Sequence, residues 1–349
     1  MALPYYIFPY LLLLLLLLPS TSESKLTLDY YSKTCPKLSQ IITQVVTQKQ
    51  ISTPTTAAAT LRLFFHDCMV DGCDASVLVT SNSFIGAAER DADINLSLPG
   101  DGLDVVTRAK TAVELHCPGI VSCADVLAIA ARDLVTMVGG PYYNVRLGRK
   151  DGLTSKASEV EGHIARPNMS LTQIISVFES KGLSIQDLVA LAGAHTIGFS
   201  HCDQFANRIF NFSKESQYDP SLNPKFALAL QKLCANYTKD PTIAAFNDVM
   251  TPGKFDNMYY SNLQKGLGLL ASDQALASDS RTKEYVDLYA ANQTAFFDDF
   301  AHSMEKVSVY QIKTGRKGEV RHRCDTFNTL NTTNMQGQTH KEGRTHKAF

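Results

Sequence analysis

Apolar residues recur three and four positions apart over most of this chain, the spacing of one buried face of an α-helix. Ala124, Leu127, Ala128, Ala131, Val135 and Val138 form the clearest stripe, and Gly139, Gly140 and Pro141 stop it. Leu188, Leu191, Ala192 and His195 repeat the pattern up to Gly198. The same spacing predicts amphipathic helices over 41–50, 57–65, 105–115, 171–180, 226–233, 258–263, 281–291 and 294–306. Period-two alternation is confined to 143–147 and 319–321, so β structure should be minor. No internal repeat or flexible linker divides the chain. The pattern predicts a mostly α, enzyme-sized domain, or two intimately packed lobes.

The ends of the chain read differently from its body. Residues 11–18 are all leucine, followed by Pro19 and small polar residues. That run is shorter than the roughly 20 residues that span a bilayer, so residues 1–24 read as a signal peptide. A flanking positive charge is missing, and the reading rests on the apolar run and its small-residue exit. No later segment is comparably apolar, which predicts a secreted protein with no membrane span. From 326 to 349 the chain is polar and Thr/Asn-rich, a composition that predicts a disordered tail after a domain over 25–325.

Composition supports export. The 8 cysteines are an even number, suited to an oxidising compartment, although eight allow 105 connectivities. Sequons begin at Asn95, Asn168, Asn211, Asn236, Asn292 and Asn331. With 33 basic and 34 acidic side chains the charge is balanced, and removal of Glu23 with the leader balances it fully. Nothing in that balance favours nucleic acid as a partner.

Two histidines stand out. Arg62 and His66 are four apart and share one helix face, with Leu61, Phe64 and Phe65 around them. A cation and an imidazole on a largely apolar helix are expensive to bury without purpose. A core histidine beside a surface arginine is the alternative, and the nonamer alone leaves both open. His195 faces inward on its own stripe, where a lone histidine is more often structural than a ligand. Between 67 and 76, Asp67, Asp74 and Ser76 offer hard oxygens around Gly72, as calcium requires, though without EF-hand spacing. A polar loop closed by Cys68 and Cys73 is the other reading. A Cys68–His66 nucleophile pair is disfavoured by the even cysteine count.

Taken together, these segments resemble a known family. The run from Arg62 to Ser76, RLFFHDCMVDGCDAS, resembles the distal motif of the class III secretory plant peroxidases. DLVALAGAHTIG from Asp187 to Gly198 resembles their proximal haem-ligand motif. VSCAD at 121–125, LGRKD at 147–151, FDNMYY at 255–260 and SDQ at 272–274 follow in the family's order. The likeness runs from about Leu26 to Cys324, essentially the whole mature domain.

The resemblance implies two helical lobes sandwiching haem b, with hydrogen peroxide and small phenolic reductants as substrates and a monomeric protein. It implies His195 as axial iron ligand, backed by Asp273, and Phe65 beside the haem. It implies His66 as proton acceptor, Arg62 as transition-state stabiliser, and Asn95 orienting His66 with support from Glu89. One calcium would take Asp67, Val70, Gly72, Asp74 and Ser76, with Glu89 through water. A second would take Thr196, Asp248, Thr251 and Asp256, with a carbonyl near Lys254. The implied disulfides are Cys35–Cys117, Cys68–Cys73, Cys123–Cys324 and Cys202–Cys234, and Asp125 and Arg149 are implied to form a structural ion pair.

The chain departs from the family at the haem edge. The usual Pro-x-Pro reads Ala165-Arg166-Pro167, which keeps a carbonyl for Arg62 or substrate at Ala165 but loses rigidity. Asp93, Asn168 and Gln204 stand near the channel mouth where relatives can carry aromatic rings, and Tyr143 replaces the usual tryptophan. The remaining alternative function is a weakly catalytic, secreted haem- or wall-binding protein of the same fold.

Overall fold

The computed structural model describes residues 26–328. The leader at 1–24 and almost all of the polar tail lie outside the described residues. Four helices pack as one group: α1 (Leu38–Ser52), α2 (Thr56–Val70), α3 (Gly100–His116) and α4 (Cys123–Met137). After α5 (Leu171–Glu179), a second group gathers α6 (Ile185–Ala192) with elements that follow much later. Between them come α7 (Ala206–Ile209) and α8 (Pro224–Leu233), and then α9 (Met258–Gln264), α10 (Ala271–Ser278), α11 (Lys283–Ala291) and α12 (Gln293–Ser308). α12 packs on both α6 and α2, joining the two groups. The mostly α reading is what the structure has.

Each helix has a local cause. Ser122 caps α4 by accepting the Asp125 amide at 3.2 Å, and both faces of that helix are buried. A helix buried on every side belongs in the centre of a domain, and α4 lies there against α1 and α2. Ser184 and Asp187 form a reciprocal capping box at the start of α6. Asp187 also accepts from Ser303 at 2.8 Å and from Lys306 at 2.9 Å, which ties the start of α6 to α12.

Three differences from the sequence pattern bear on function. His195 lies on a 3₁₀ turn, Gly193–Thr196, beyond the end of α6. A side chain at Gly193 would collide with Phe296 and the Tyr260 hydroxyl, so glycine lets this turn approach the aromatic core. Helix α10 carries no clear apolar stripe and is held by the burial of Asp273, Gln274 and Leu276. The alternating segments form no strands: Leu147 makes an isolated bridge to Thr27, and Glu319 one to Asp151. The two-stranded sheet pairs β1 (Phe199–His201) antiparallel with β2 (Ala244–Phe246), each too short to show alternation.

All eight cysteines are bonded, as Cys35–Cys117, Cys68–Cys73, Cys123–Cys324 and Cys202–Cys234. Cys123–Cys324 fastens the start of α4 to the end of the domain. Among the described residues no helix is long and apolar enough to cross a membrane.

Beneath that disulfide lies a fully buried ion pair. Asp125 accepts from Arg149 Nη1 at 2.8 Å, the Tyr31 hydroxyl at 2.9 Å and the Gly148 amide at 2.7 Å. Arg149 also donates to the carbonyl of Ser308 at 3.0 Å. Asp125→Ala strands a guanidinium in the core and should cost about 3–5 kcal/mol, measured as a lowered denaturation midpoint.

Candidate active site

Helix α2 presents Arg62, Phe65 and His66. Their spacing puts Arg62 and His66 one turn apart, and Arg62 Nε lies 3.3 Å from His66 Nε2. On the other side of the ring, His66 Nδ1 is 2.7 Å from Asn95 Oδ1. The Asn95 amide nitrogen donates to the Glu89 backbone carbonyl at 2.8 Å, so its Oδ1 is the acceptor facing His66. That network assigns the proton to Nδ1 and leaves the lone pair on Nε2. Glu89 therefore holds Asn95 through its main chain, while its carboxyl group points elsewhere. Burial, and then the Arg62 charge, pull the His66 pKa from 6.5 down to about 3. The imidazole is neutral across the physiological range. Arg62 has its own pKa lowered by burial. Its guanidinium donates to the Ser97 carbonyl at 2.9 Å and the Ser97 hydroxyl at 3.0 Å, with the Ile94 carbonyl at 3.4 Å. Phe65 stands edge-on to His66, with ring centres 6.4 Å apart.

The second histidine stands in the second helical group, on the turn that follows α6. His195 Nδ1 lies 2.9 Å from Asp273 Oδ1, and Asp273 sits buried in the first turn of α10, where the helix dipole favours a negative charge. Burial lowers the His195 pKa, but the Asp273 charge and hydrogen bond outweigh it and the net shift is upward. The Arg62 charge acts on His195 in the opposite sense, which places the two groups within electrostatic reach of each other. The His195 side chain is 41% exposed although its turn is packed on aromatic rings, and its Nε2 has no hydrogen-bond partner among the described residues. A carboxylate-backed imidazole with one free, accessible nitrogen is a donor that a haem iron can take.

A peroxidase family model matches residues 42–292 of this sequence. The chain is 62% identical over 311 residues to peroxidase 6 of Arabidopsis thaliana, which covers 89% of this chain and 94% of that protein. It is 59% identical over 312 residues to peroxidase 65 of the same plant, covering 89% and 92%. Peroxidase 31 is 57% identical over 317 residues, covering 91% and 98%. The chain belongs to the plant class III peroxidases. It is an enzyme that reduces hydrogen peroxide, and its family implies haem. A weakly catalytic binding protein of the same fold is not favoured.

Two oxygen-rich clusters flank the peroxidase's histidines. Asp67, next to His66, accepts the Ala75 amide at 2.9 Å, and Asp74 accepts the Ser76 amide at 3.0 Å. The Ser76 hydroxyl and one Glu89 carboxyl oxygen are buried with no hydrogen-bond partner. Burial raises all three carboxyl groups: Asp74 to about 6, Glu89 to about 9 with Asp67 adding to the shift, and Asp67 upward with Asp74 adding. Gly72 has φ +95° and sits against the carbonyls of Tyr310 and Gln311, and Val70 ends α2 beside it. On the proximal side, the Thr196 hydroxyl is 3.3 Å from both Asp248 Oδ2 and the Lys254 carbonyl. The Thr251 hydroxyl lies 3.2 Å from Asp248 Oδ2 and 3.0 Å from Asp256 Oδ1. Among the described residues no three His, Cys, Asp or Glu side chains are grouped to hold a metal by themselves. These clusters instead mix carboxylates with hydroxyls and carbonyls, the donor mixture of a hard cation.

At the rim, Ala165 is half-buried against the core, and the Arg62 guanidinium turns toward Ser97 and Ile94 instead. Arg166 forms ion pairs with Asp93 and Glu161, each at 2.8 Å. Sequence reasoning missed Ile94 and Ser97 as partners of Arg62, and Tyr259, whose ring stands edge-on to His195 at 6.3 Å. Ile94 and Ser97 carried no signal because Ile94 and one of the two Ser97 contacts use main-chain carbonyls. Asn95 is 3% exposed with its amide nitrogen already donating. Glycopeptide mapping of the native protein should find Asn95 unmodified.

Proposed function

We propose that this peroxidase is a secreted, monomeric haem b enzyme whose Arg62–His66 face reduces peroxide to water while small phenols supply electrons singly. One observation carries the reading: a neutral imidazole whose unprotonated Nε2 meets only the Arg62 guanidinium at 3.3 Å, within electrostatic reach of a carboxylate-backed imidazole. His195 Nε2 and Phe65 would hold haem b, which would supply the redox chemistry that reduces the O–O bond.

His66 Nε2 would take the proton from one peroxide oxygen and return it to the other, which leaves as water. The low pKa of the imidazolium makes that return favourable. Arg62 stabilises the negative charge that develops on the departing oxygen, and its bonds to Ser97 fix its position beforehand. Asn95 holds the tautomer that leaves Nε2 free. Asp273 fixes the His195 ring and raises its basicity. The Ala165 carbonyl serves the incoming donor. Asp93, Asn168 and Gln204 give that entrance a polar rim, which weakens stacking of aromatic donors.

We also assign a calcium ion to each oxygen cluster. The distal one takes side-chain oxygens of Asp67, Asp74 and Ser76 and carbonyls of Val70 and Gly72, with Glu89 through water. The partnerless Ser76 hydroxyl and Glu89 oxygen support it. The proximal one takes Thr196, Asp248, Thr251, Asp256 and the Lys254 carbonyl. Each ion would brace the histidine that precedes its first ligand. The all-leucine run and the four disulfides support export, since such bonds persist in oxidising compartments.

His66→Leu should keep its haem absorbance and lose roughly 10²–10⁴-fold or more in the rate of reaction with peroxide, read by stopped-flow. In the unaltered enzyme the same rate should stay level as pH falls through 6.5 and drop only toward about 3, where His66 Nε2 becomes protonated. A decline centred near 6.5, or wild-type kinetics in the variant, counts against His66 as the base. Chelation with EGTA should lower the melting temperature and raise the apparent pKa of the distal carboxyl cluster, and added calcium should reverse both.

A further inference from the structure

Three tyrosines lead away from His195 in unbroken edge contact. The Tyr259 ring stands edge-on to His195 at 6.3 Å, Tyr260 edge-on to Tyr259 at 5.0 Å, and Tyr289 edge-on to Tyr260 at 5.1 Å. All three are buried, so no water competes for an electron vacancy on them. Their hydroxyl groups differ in a way that packing alone does not require. The Tyr259 hydroxyl makes no hydrogen bond. The Tyr260 hydroxyl donates to the Val189 carbonyl at 2.9 Å, an amide oxygen too weakly basic to keep a proton. The Tyr289 hydroxyl donates to the Asp299 carboxylate at 2.7 Å, and Gln186 holds the same oxygen at 2.8 Å. Asp299 is half-buried and open to solvent.

An oxidised phenol is a strong acid, and losing its proton traps the radical. Of the three stations, Tyr289 is the one whose hydroxyl hydrogen-bonds a carboxylate open to solvent; Asp273 lies near Tyr259 but is committed to His195. We propose that Tyr259, Tyr260 and Tyr289 form an escape route that carries an oxidising equivalent from the haem side to Tyr289 when no phenolic donor is at hand. The inference rests on His195 facing haem, as argued above.

The step balances with peroxide as the oxidant. Cleaving the O–O bond of one peroxide takes two electrons, and both peroxide protons leave in one water; without a donor, one electron comes from the haem and the other from the protein. Tyr289 returns one electron through Tyr260 and Tyr259. Its O–H bond breaks, the proton moves to Asp299 Oδ2, and a neutral tyrosyl radical and a protonated carboxyl group result. The route would spare the haem and its neighbours from oxidative damage under excess peroxide.

The test is rapid freeze-quench electron paramagnetic resonance on holoenzyme mixed with a single equivalent of peroxide and no donor. The expected result is an organic radical whose lineshape narrows when tyrosine rings are deuterated. Its yield should fall several-fold in Tyr289→Phe and in Asp299→Asn, with haem content and guaiacol turnover unchanged. Both variants should also lose activity several-fold faster in excess peroxide. A radical of equal yield in both variants, or one insensitive to tyrosine deuteration, overturns the route. Guaiacol turnover without any tyrosine-dependent radical overturns it too, and leaves the assignment of the haem site standing.

Discussion

A neutral imidazole next to a permanent cation is the constraint on which the rest of this molecule turns. His66 and Arg62 sit one helical turn apart, and each makes the charged form of the other more costly. Water would relieve that cost by hydrating both, and burial removes the water. What remains is an imidazole that stays neutral, with one ring nitrogen unprotonated. The Asn95 hydrogen bond decides which ring nitrogen that is, and the Glu89 carbonyl decides which way Asn95 points.

His195 is governed by the opposite arrangement. Its carboxylate partner raises its basicity where the Arg62 charge depresses that of His66, so two identical side chains acquire opposed proton affinities. Environment, not residue type, separates the two proton affinities. The proposed calcium sites extend the same logic, because Asp67 and Thr196 directly follow the two histidines. A cation held there would neutralise carboxyl groups that burial otherwise drives toward protonation, and would fix the backbone on which each imidazole stands.

The scaffold keeps these opposed environments in register. Helix α12 reaches both helical groups, and the Asp187 network pins it to α6 shortly before the His195 turn. Gly193 lets that turn sink onto Phe296 and Tyr260, which brings Tyr259 beside His195. The buried Asp125–Arg149 pair and the Cys123–Cys324 disulfide close the domain behind α4, so its first and last segments are committed to one arrangement.

The sequence by itself determined the mostly α architecture, because a helix writes its buried face into spacings of three and four residues. For the same reason it put Arg62 and His66 on one face, and its ordered motifs carried the likeness to the peroxidases. Contacts that join distant segments leave no such periodic trace. Asn95 meets His66 from 29 positions away and Asp273 meets His195 from 78, and bottom-up reading of spacing could pair neither. Helix α10, without an apolar stripe, forms because tertiary burial overrides its weak pattern. Which oxygen faces Arg62, which nitrogen of His66 is free, and which tyrosine hydroxyl meets a solvent-open carboxylate are through-space facts. Only the folded packing decided them, since hydrogen bonding and electrostatics depend on distance in space and not on separation along the chain.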